Sequence, residues 1–262
     1  MIDLRRRNGR PLVIGHRGAP LIAPENTIAS FRAAVDLGVD LVEFDVLALP
    51  GGPLVVAHSD RLDEITHGLA SGRVGDRSLA ELRELAPDLP TLDEVLECLS
   101  LEGNDVGAHV DLKLRSRADE VAAAIEHYGL GERTVVSAFH ADVLRDVART
   151  SPRIRLAFTY PEDRLGVARH RALGPVVRTA LSGLRASLPA RLPRLLARSG
   201  ATALMLNHTL VTRAAVRRAG QLGVPVLAWT VDDPAEVGRL VALGVDGVIT
   251  NDPGMVVATL AA

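Results

Sequence analysis

The chain is poor in cysteine, lysine and aromatic residues. Cys98 is the single cysteine among 262 residues, so no internal disulfide can form and nothing indicates an oxidising compartment. No segment approaches the ~18 uninterrupted apolar residues of a membrane-spanning helix. No apolar stretch of signal-peptide length follows the arginines at residues 1–10. We therefore expect a cytoplasmic protein without stable membrane insertion.

Net charge and hydropathy narrow the class of protein further. The formal net charge is −2, which disfavours a general nucleic-acid-binding protein, so we expect no nucleic-acid partner. Hydrophobic residues make up 47% of the chain, enough for the core of one large α/β domain or of two small domains.

Lysine is almost wholly replaced by arginine. Of the 30 basic residues only Lys113 is a lysine, which coding bias towards arginine explains in general. Coding bias does not explain why the remaining lysine follows an apolar run and stands beside an acid. Since the two cations are not interchangeable at a tight site, we favour a functional role for Lys113.

Short β-like runs alternate with helical patterns along the chain, which is typical of a parallel sheet built from βα units. The predicted strands are Leu12–Gly15, Leu41–Asp45, Val106–Leu112, Thr134–Ser137, Ile154–Phe158, Ala203–Asn207, Val226–Thr230 and Gly247–Thr250. The predicted helices are Thr27–Leu37, Leu92–Leu101, Asp119–Tyr128, Asp142–Arg149, Thr212–Leu222, Pro234–Leu243 and Gly254–Leu260. Gly38 and Gly244 stand where left-handed helix stops are expected.

Eight strands in about 250 residues indicate an α/β protein of the (β/α)₈ TIM-barrel type. A doubly wound open sheet is the alternative, but it usually has a glycine-rich phosphate loop after the first strand, and this chain has Gly15-His16-Arg17-Gly18 there. We expect a single domain over 1–262, with a small insertion at about 59–90 between the second and third barrel strands.

A basic segment covers residues 164–198. It carries eight arginines and no acid, and we expect short amphipathic helices broken at Pro175, Pro189 and Pro193. The segment is either a solvated helical face or a basic rim that attracts phosphorylated substrates or makes weak contact with an anionic membrane surface.

Charged residues gather where the apolar runs of the first half of the chain end. They are His16 and Arg17, Glu43 and Asp45, His58, and Asp111 with Lys113. Residues two apart in a strand face the same side, so each strand can direct two charged groups to one place. In TIM barrels the active site lies at the carboxyl ends of the strands, which predicts that these groups form one site.

Three carboxylates in one place raise each other's pKa unless a cation neutralises them. Oxygen ligands without cysteine suit one hard divalent ion, Mg²⁺ or Ca²⁺, held by Glu43, Asp45 and Asp111. His16 and His58 could share proton transfer as base and acid. A metal, two histidines and two cations suit phosphoryl transfer better than carbonyl chemistry.

Each of these residues also has a structural interpretation. Either histidine alone could be a hydrogen-bonded core residue, and Asp111 with Lys113 could be a plain ion pair. Co-occurrence at strand ends favours the functional interpretation. His109 and His140 are weaker candidates, and a structural role is expected for His67, His127, His170 and His208.

An ordered set of motifs over nearly the whole chain resembles the glycerophosphodiester phosphodiesterase family. The motifs are His16-Arg17-Gly18, Pro24-Glu25-Asn26-Thr27, Gly38 to Val46, Val56-Ala57-His58, Pro90-Thr91-Leu92, Ser137 with Phe139, Ala228-Trp229-Thr230-Val231, and Gly244-Val245-Asp246-Gly247 leading into Thr250. The ordered set is specific although no single tripeptide is.

The resemblance implies a (β/α)₈ barrel with one divalent cation that hydrolyses small glycerophosphodiesters to sn-glycerol 3-phosphate and an alcohol. It implies His16 and His58 as the acid/base pair and Glu43, Asp45 and Asp111 as metal ligands. It also implies that Arg17 and Lys113 contact phosphate and that Trp229 lines the substrate pocket. It suggests a route in which the neighbouring glycerol hydroxyl attacks phosphorus to give a cyclic phosphate.

The chain departs from the family pattern in three places. Asp111 stands where the family usually has Glu, Ser59 separates His58 from Asp60 where the family has Asp directly after the histidine, and Asn251 interrupts the usual Thr-Asp. These changes leave open how Asp111 reaches the metal and how His58 is oriented.

Other functions stay open at this stage. A phospholipase that acts on lysophospholipids or related membrane lipids would use the same barrel, and the basic segment motivates it. Lys113 could instead form a Schiff base, as aldolase lysines do. A phosphodiester-binding module without turnover is the last alternative.

Overall fold

Eight parallel strands close into a barrel. The computed structural model describes residues 1–101, 106–162 and 174–261. The strands are β1 Leu12–Gly15, β2 Leu41–Ala48, β3 Leu54–Val56, β4 Gly107–Leu112, β5 Thr134–Ala138, β6 Arg155–Tyr160, β7 Ala203–Asn207, β8 Val226–Trp229 and β9 Gly247–Thr250. The first strand pairs with both β2 and β9, which closes the sheet, whereas β3 lies antiparallel to β2 outside the ring. The predicted TIM barrel is confirmed.

Helices surround the barrel. They are α1 Ile28–Asp36, α2 Leu62–Ile65, α3 Leu79–Leu85, α4 Leu92–Leu101, α5 Ala118–His127, α6 Ala141–Thr150, α7 Gly174–Ser199, α8 Arg213–Gln221, α9 Pro234–Leu243 and α10 Pro253–Ala261. The end of α9 shows the expected stop signal, because Gly244 follows it with φ 91°. Its start is capped by Asp233, whose side chain accepts a hydrogen bond from Ala235 N.

The core has a layer inside the barrel and a larger layer between the strands and the helices. Apolar side chains fill the inner layer, among them Leu12, Ile14 and Leu227, and Leu4 packs with them from the amino-terminal segment. The outer layer contains residues such as Phe44 and Val110, which alternate along the strands with the inward-facing ones. The inner layer is apolar, so the polar side chains at the carboxyl ends of the strands form a site that is separate from this layer.

The segment between β2 and β4 is longer than one βα connection. It contains β3, α2 and α3 before α4, and Val55, Leu62 and Leu82 belong to a separate small hydrophobic cluster. This cluster packs residues 49–89 at one side of the barrel mouth. The single-domain organisation with an insertion at about 59–90 stays a prediction.

The prediction of broken helices in the basic segment is wrong for its described part. Residues 174–199 form one helix, α7, with Pro189 and Pro193 inside it. An interior proline costs about 3 kcal/mol, whereas full burial of a leucine contributes about 1.5–3 kcal/mol. Leu188, Leu192 and Leu196 lie four residues apart and are buried on one face, so tertiary packing holds the helix together.

Two arginine side chains of α7 contact other parts of the protein. Arg191 donates to Tyr160 Oη at 3.0 Å and lies 5.6 Å from the centre of its ring, and Arg185 donates to Thr209 O. Residues 164–173, with His170, lie outside the described residues. The membrane-contact interpretation of residues 164–198 therefore stays a prediction. Within the described parts of the chain, no helix combines the length and apolar character needed to cross a bilayer.

Candidate active site

Strand register brings the predicted acids together. Asp45 of β2 pairs with Asp111 of β4, and Glu43 lies two residues earlier on β2, facing the same side. One carboxylate oxygen from each residue lies within 4.8 Å of the others, and all three residues are buried. The convergence predicted from the sequence is thus present in the structure.

Two cations hold this acidic cluster. Lys113 Nζ lies 3.1 Å from Asp45 Oδ1 and also contacts Asp111 Oδ2. The backbone N–H of Arg17 donates to Glu43 Oε2 at 2.7 Å. The side-chain Nε of Arg17 lies 3.1 Å from Asp45 Oδ2 and forms an ion pair with it, but the geometry is not that of a hydrogen bond. Arg17 can turn its backbone towards Glu43 because its φ is 56°, in the left-handed region.

The negative charge of this cluster is only partly balanced by its cations. Burial, together with the charges of Asp45 and Asp111, raises the pKa of Glu43 well above its ordinary value. Burial also opposes ionisation of Asp45, but Lys113 and Arg17 outweigh it and hold the pKa of Asp45 below its usual range. Two protein cations therefore do not neutralise three carboxylates.

The donor set suits a hard divalent ion. All three candidate ligands are carboxylates, no sulfur lies in the cluster, and the raised pKa of Glu43 marks a place where further positive charge is favourable. Among the described residues this is the single such cluster of metal-ligating side chains. The chemistry of the cluster is therefore compatible with the metal site expected from the sequence.

His16 is oriented by the loop after β9. Its Nδ1 lies 2.7 Å from Asn251 Oδ1, while Asn251 Nδ2 donates to Asp232 Oδ2 at 2.7 Å. Because a carboxylate only accepts, the Asn251 amide nitrogen faces Asp232, and its oxygen must accept from Nδ1–H of His16. Burial, followed by the charge of Arg17, lowers the pKa of His16.

His58 is oriented by a residue of α2. Its Nδ1 lies 3.1 Å from Glu64 Oε2, and Ser59 Oγ donates to the same oxygen at 2.7 Å. Nδ1 therefore carries the proton and Nε2 is the remaining ring nitrogen. Asp60 instead accepts from Gly75 N and pairs with Arg73, so it stabilises the neighbouring loop.

His109 supports Asp111. Ser137 Oγ donates to Asp111 Oδ1, so His109 Nε2 must donate to Ser137 Oγ, at 2.8 Å. Burial lowers the pKa of His109 to about 4, which keeps the ring neutral at physiological pH. The weaker candidate His109 thus lies in the site, where it fixes a predicted metal ligand.

One cleft at the carboxyl ends of the strands unites these groups. It comprises about 590 Å³ of space, part of it open to solvent, and its lining includes His16, Arg17, His58, Lys113 and Trp229. The Trp229 ring packs edge-on against Phe139, with ring centres 6.3 Å apart, and forms an apolar wall. Seven of the eight predicted site residues line the cleft. The eighth, Asp45, contacts Lys113, which is one of the lining residues.

The remaining described histidines lie elsewhere or serve other contacts. His140 Nε2 is 3.4 Å from Glu162, His208 Nδ1 is 2.7 Å from Glu236, and His127 packs edge-on against Tyr128. His67 is exposed on the segment after α2. None of the four is among the residues that line the cleft with His16.

Sequence reasoning missed the residues that orient the site. Asn26 holds Asp45 by donating from Nδ2 to Oδ2 at 3.0 Å, and its place in the motif Pro24–Thr27 is the signal that could have found it. The signal for Asn251 is its departure from the family pattern. For Glu64 no motif gave a signal, because its partner His58 is reached through the fold of the α2 segment.

Comparisons with known proteins agree with this fold. The model of the glycerophosphoryl diester phosphodiesterase family matches residues 16–255. A glycerophosphodiester phosphodiesterase of Caldanaerobacter subterraneus is 30% identical over 93% of this chain and 95% of its own length. A phosphodiesterase of Oleispira antarctica, solved in complex with the product sn-glycerol-3-phosphate, is 24% identical with a TM-score of 0.76, over 96% of this chain and 97% of that one.

A further solved structure shows the same fold. The glycerophosphodiester phosphodiesterase of Thermotoga maritima is 23% identical with a TM-score of 0.69, over 95% of this chain and 98% of that one. The family model covers the chain from His16 to Met255, and so includes the first histidine and all three acids of the cleft. The chain is therefore an enzyme of the glycerophosphoryl diester phosphodiesterase family.

Proposed function

We propose that the enzyme hydrolyses glycerophosphodiesters to sn-glycerol 3-phosphate and an alcohol, with one divalent cation, Mg²⁺ or Ca²⁺, bound by Glu43, Asp45 and Asp111. The observation that carries the proposal is the meeting of three buried carboxylates, two cations and two oriented histidines in one cleft. The cation would act as a Lewis acid on phosphate oxygens and offset the excess negative charge.

Arg17 and Lys113 bind the phosphate in this proposal. Both cations reach the cleft while fixed by Asp45, so their positions are set before substrate arrives. Fixed cations stabilise the additional charge on phosphate oxygens in the transition state without reorganisation. Trp229 and Phe139 form the apolar wall against which the carbon skeleton of the substrate packs.

The two histidines divide the proton transfers. His16 has a neutral amide as its Nδ1 partner, and its pKa is lowered, so its Nε2 is suited to accept a proton. His58 has a carboxylate partner at Nδ1, which fixes the orientation of its ring, and we assign it the proton donation to the leaving oxygen.

The reaction then proceeds in two balanced steps. His16 takes the proton of the glycerol hydroxyl next to the phosphoester, whose oxygen attacks phosphorus, while the bond to the alcohol breaks and His58 protonates the leaving oxygen. A cyclic phosphate remains. Water attacks it, His58 accepts the proton of this water, and His16 returns its proton to the glycerol oxygen, giving sn-glycerol 3-phosphate.

A metal-binding and turnover assay tests the proposal. Chelated protein should bind one equivalent of Mg²⁺, Ca²⁺ or Mn²⁺ by calorimetry, and the metal-loaded enzyme should release glycerol 3-phosphate from glycerophosphocholine or a relative. Glu43→Gln should weaken metal binding, and His16→Ala should leave binding intact but abolish turnover. Full activity of His16→Ala, or activity that persists after chelation, would contradict the proposal.

The phospholipase alternative has one observation in its favour. Leu21, Ile22 and Leu69 are 71%, 63% and 84% exposed; the first two lie on the loop after β1 and the third lies on the segment after α2. A lysophospholipid assay with and without liposomes separates the two activities. The cytoplasmic location, which fractionation of the source cells can test, is part of our proposal as well.

A further inference from the structure

A second cavity adjoins the catalytic cleft. It lies between the loop after β1 and the segment from β3 to α4, and comprises about 810 Å³ of space, part of it open to solvent. Its apolar lining includes Val56, Ile65, Leu69, Leu85 and Leu89. We call this cavity the side groove.

His58 connects the two cavities, because it lines both. Asn26 and Glu25, which also line the side groove, contact Asp45 and Arg17 of the catalytic site. A diester whose phosphate lies between Arg17, Lys113 and the two histidines therefore has one half in the central cleft and room for the other half beyond His58.

The proton donor identifies which half lies in the side groove. The leaving alcohol oxygen must lie within hydrogen-bond reach of the group that protonates it. In the proposed reaction this group is His58, on the border between cleft and groove. The alcohol departs towards the groove, whereas the glycerol carrying the attacking hydroxyl stays on the side of His16.

The lining indicates what kind of alcohol fits. Apolar side chains dominate it, and the three carboxylates in it are Glu25, Glu64 and Asp88. Neither lysine nor arginine is among the lining residues. An alkyl chain gains free energy by leaving water for such a surface, whereas an anionic group would face three carboxylates, and Arg17, the partner of Glu25, does not line the groove.

We propose that the side groove binds the leaving alcohol, and that it selects alcohols with an apolar body and no negative charge. This inference rests on the proposed function, because it assigns the second half of the same diester. Ile65 and Leu69 would be specificity-determining residues, since they contact the alcohol without taking part in proton transfer.

A homologous series of substrates tests the assignment. The metal-loaded enzyme is assayed with sn-glycero-3-phospho-alkanols from methanol to hexanol, below their aggregation concentrations, by glycerol 3-phosphate release. A fully buried methylene corresponds to about a fourfold gain, and about twofold per methylene is expected in this open groove. A diester whose alcohol carries a carboxylate should be a poorer substrate than the uncharged analogue of equal length.

A matched pair of variants locates the effect. Leu69→Glu should lower kcat/KM about tenfold for the hexyl diester and far less for the methyl diester. Leu101→Glu is the control, because Leu101 is 75% exposed at the end of α4, on the opposite end of the barrel, and should change neither. Both leucines are exposed, so neither variant removes a core contact, and equal melting temperatures verify this.

The outcomes distinguish this inference from the proposed function. A rate independent of chain length, or an equal loss for all substrates in Leu69→Glu, overturns the groove assignment while hydrolysis itself stands. The assignment is also overturned if hydrolysis becomes faster only when an acyl chain is added to the glycerol of the methyl diester, and not when the alcohol is lengthened. If no diester is hydrolysed, the proposed function fails and this inference fails with it.

Discussion

The side-chain oxygen of Asn251 lies 2.7 Å from Nδ1 of His16, and Asp232 holds the Asn251 amide from the other side. The first histidine of the site thus has a neutral partner that is itself fixed by a carboxylate. This arrangement sets the tautomer of His16 without placing a negative charge against its ring.

Asn251→Asp should therefore shift the pH dependence of activity. A carboxylate beside His16 raises its pKa, and a base must be neutral to act, so the acidic limb of kcat/KM should move to higher pH. The shift should be about one pH unit, measured by pH–rate profiles with one diester.

A paired substitution separates charge from orientation. Asp232→Asn combined with Asn251→Asp restores the total charge while keeping a carboxylate next to His16, so the upward shift of the acidic limb should persist. Asn251→Ala should instead lower kcat about 10- to 100-fold, because the ring loses its orienting partner. Movement of the basic limb alone would contradict the assignment of His16 as the base.

Sequence patterns predicted the barrel well because strands and helices are local features. Ala203–Asn207 and Gly247–Thr250 coincide with the structural bounds of β7 and β9, and Leu92–Leu101 with α4. The prediction of a strand over Leu41–Asp45 was sufficient to place Glu43 and Asp45, two residues apart, on one face.

The partners that orient the site were not predictable in the same way. His16 and Asn251 are 235 residues apart, and only the pairing of β1 with β9 brings the ends of the two strands together. The continuous helix α7 was missed for a similar reason. Proline is a local signal, whereas the burial of Leu188 and Leu192 depends on tertiary packing.

Glu64 should be needed for full activity because it orients His58. Glu64→Gln removes the carboxylate that accepts from Nδ1, and kcat should fall about 10- to 100-fold. Glu236→Gln is a matched control, since Glu236 makes the same kind of contact with His208 away from the cleft. Steady-state kinetics check both, and an equal loss in the two variants would indicate a general structural effect.

Glu43 should destabilise the metal-free protein at neutral pH. Its folded-state pKa is raised above the ordinary 4.5, so its contribution to stability is present below pH 4.5 and is lost as the pH rises through the folded-state pKa. Glu43→Gln should remove this loss and raise the urea midpoint of the chelated protein at pH 7, with little change at pH 4. Metal addition should stabilise wild type more than the variant. Equal metal stabilisation of both proteins would contradict the assignment of Glu43 as a ligand.

Lys113 should not react as an amine. Burial opposes its charge, but Asp111 and Asp45 outweigh burial and raise its pKa above the ordinary value, so the ammonium form is held. Borohydride treatment with a carbonyl compound should therefore give no adduct at Lys113. Mass spectrometry can assign this result unambiguously because no other lysine is present. Covalent trapping would favour the Schiff-base alternative.

Replacement of Lys113 should cost activity even where the charge is kept. Lys113→Arg should lower kcat/KM about 10²-fold or more, because the guanidinium cannot occupy the position of a compact ammonium between Asp45 and Asp111. Lys113→Met should lower it further. Activity of the arginine variant within threefold of wild type would show that charge alone is required.

The continuity of α7 gives a prediction about stability alone. Leu192→Ala should lower the free energy of unfolding by about 2–5 kcal/mol, because Leu192 is fully buried in the stripe that packs this helix on the barrel. Pro189→Ala should act in the opposite direction, since it restores a backbone N–H to the helix interior and removes the clash of the ring. Urea unfolding followed by circular dichroism measures both, and kcat/KM should stay constant because neither residue lines the cleft. A destabilising Pro189→Ala would mean that the proline ring packs against the barrel more favourably than its backbone cost.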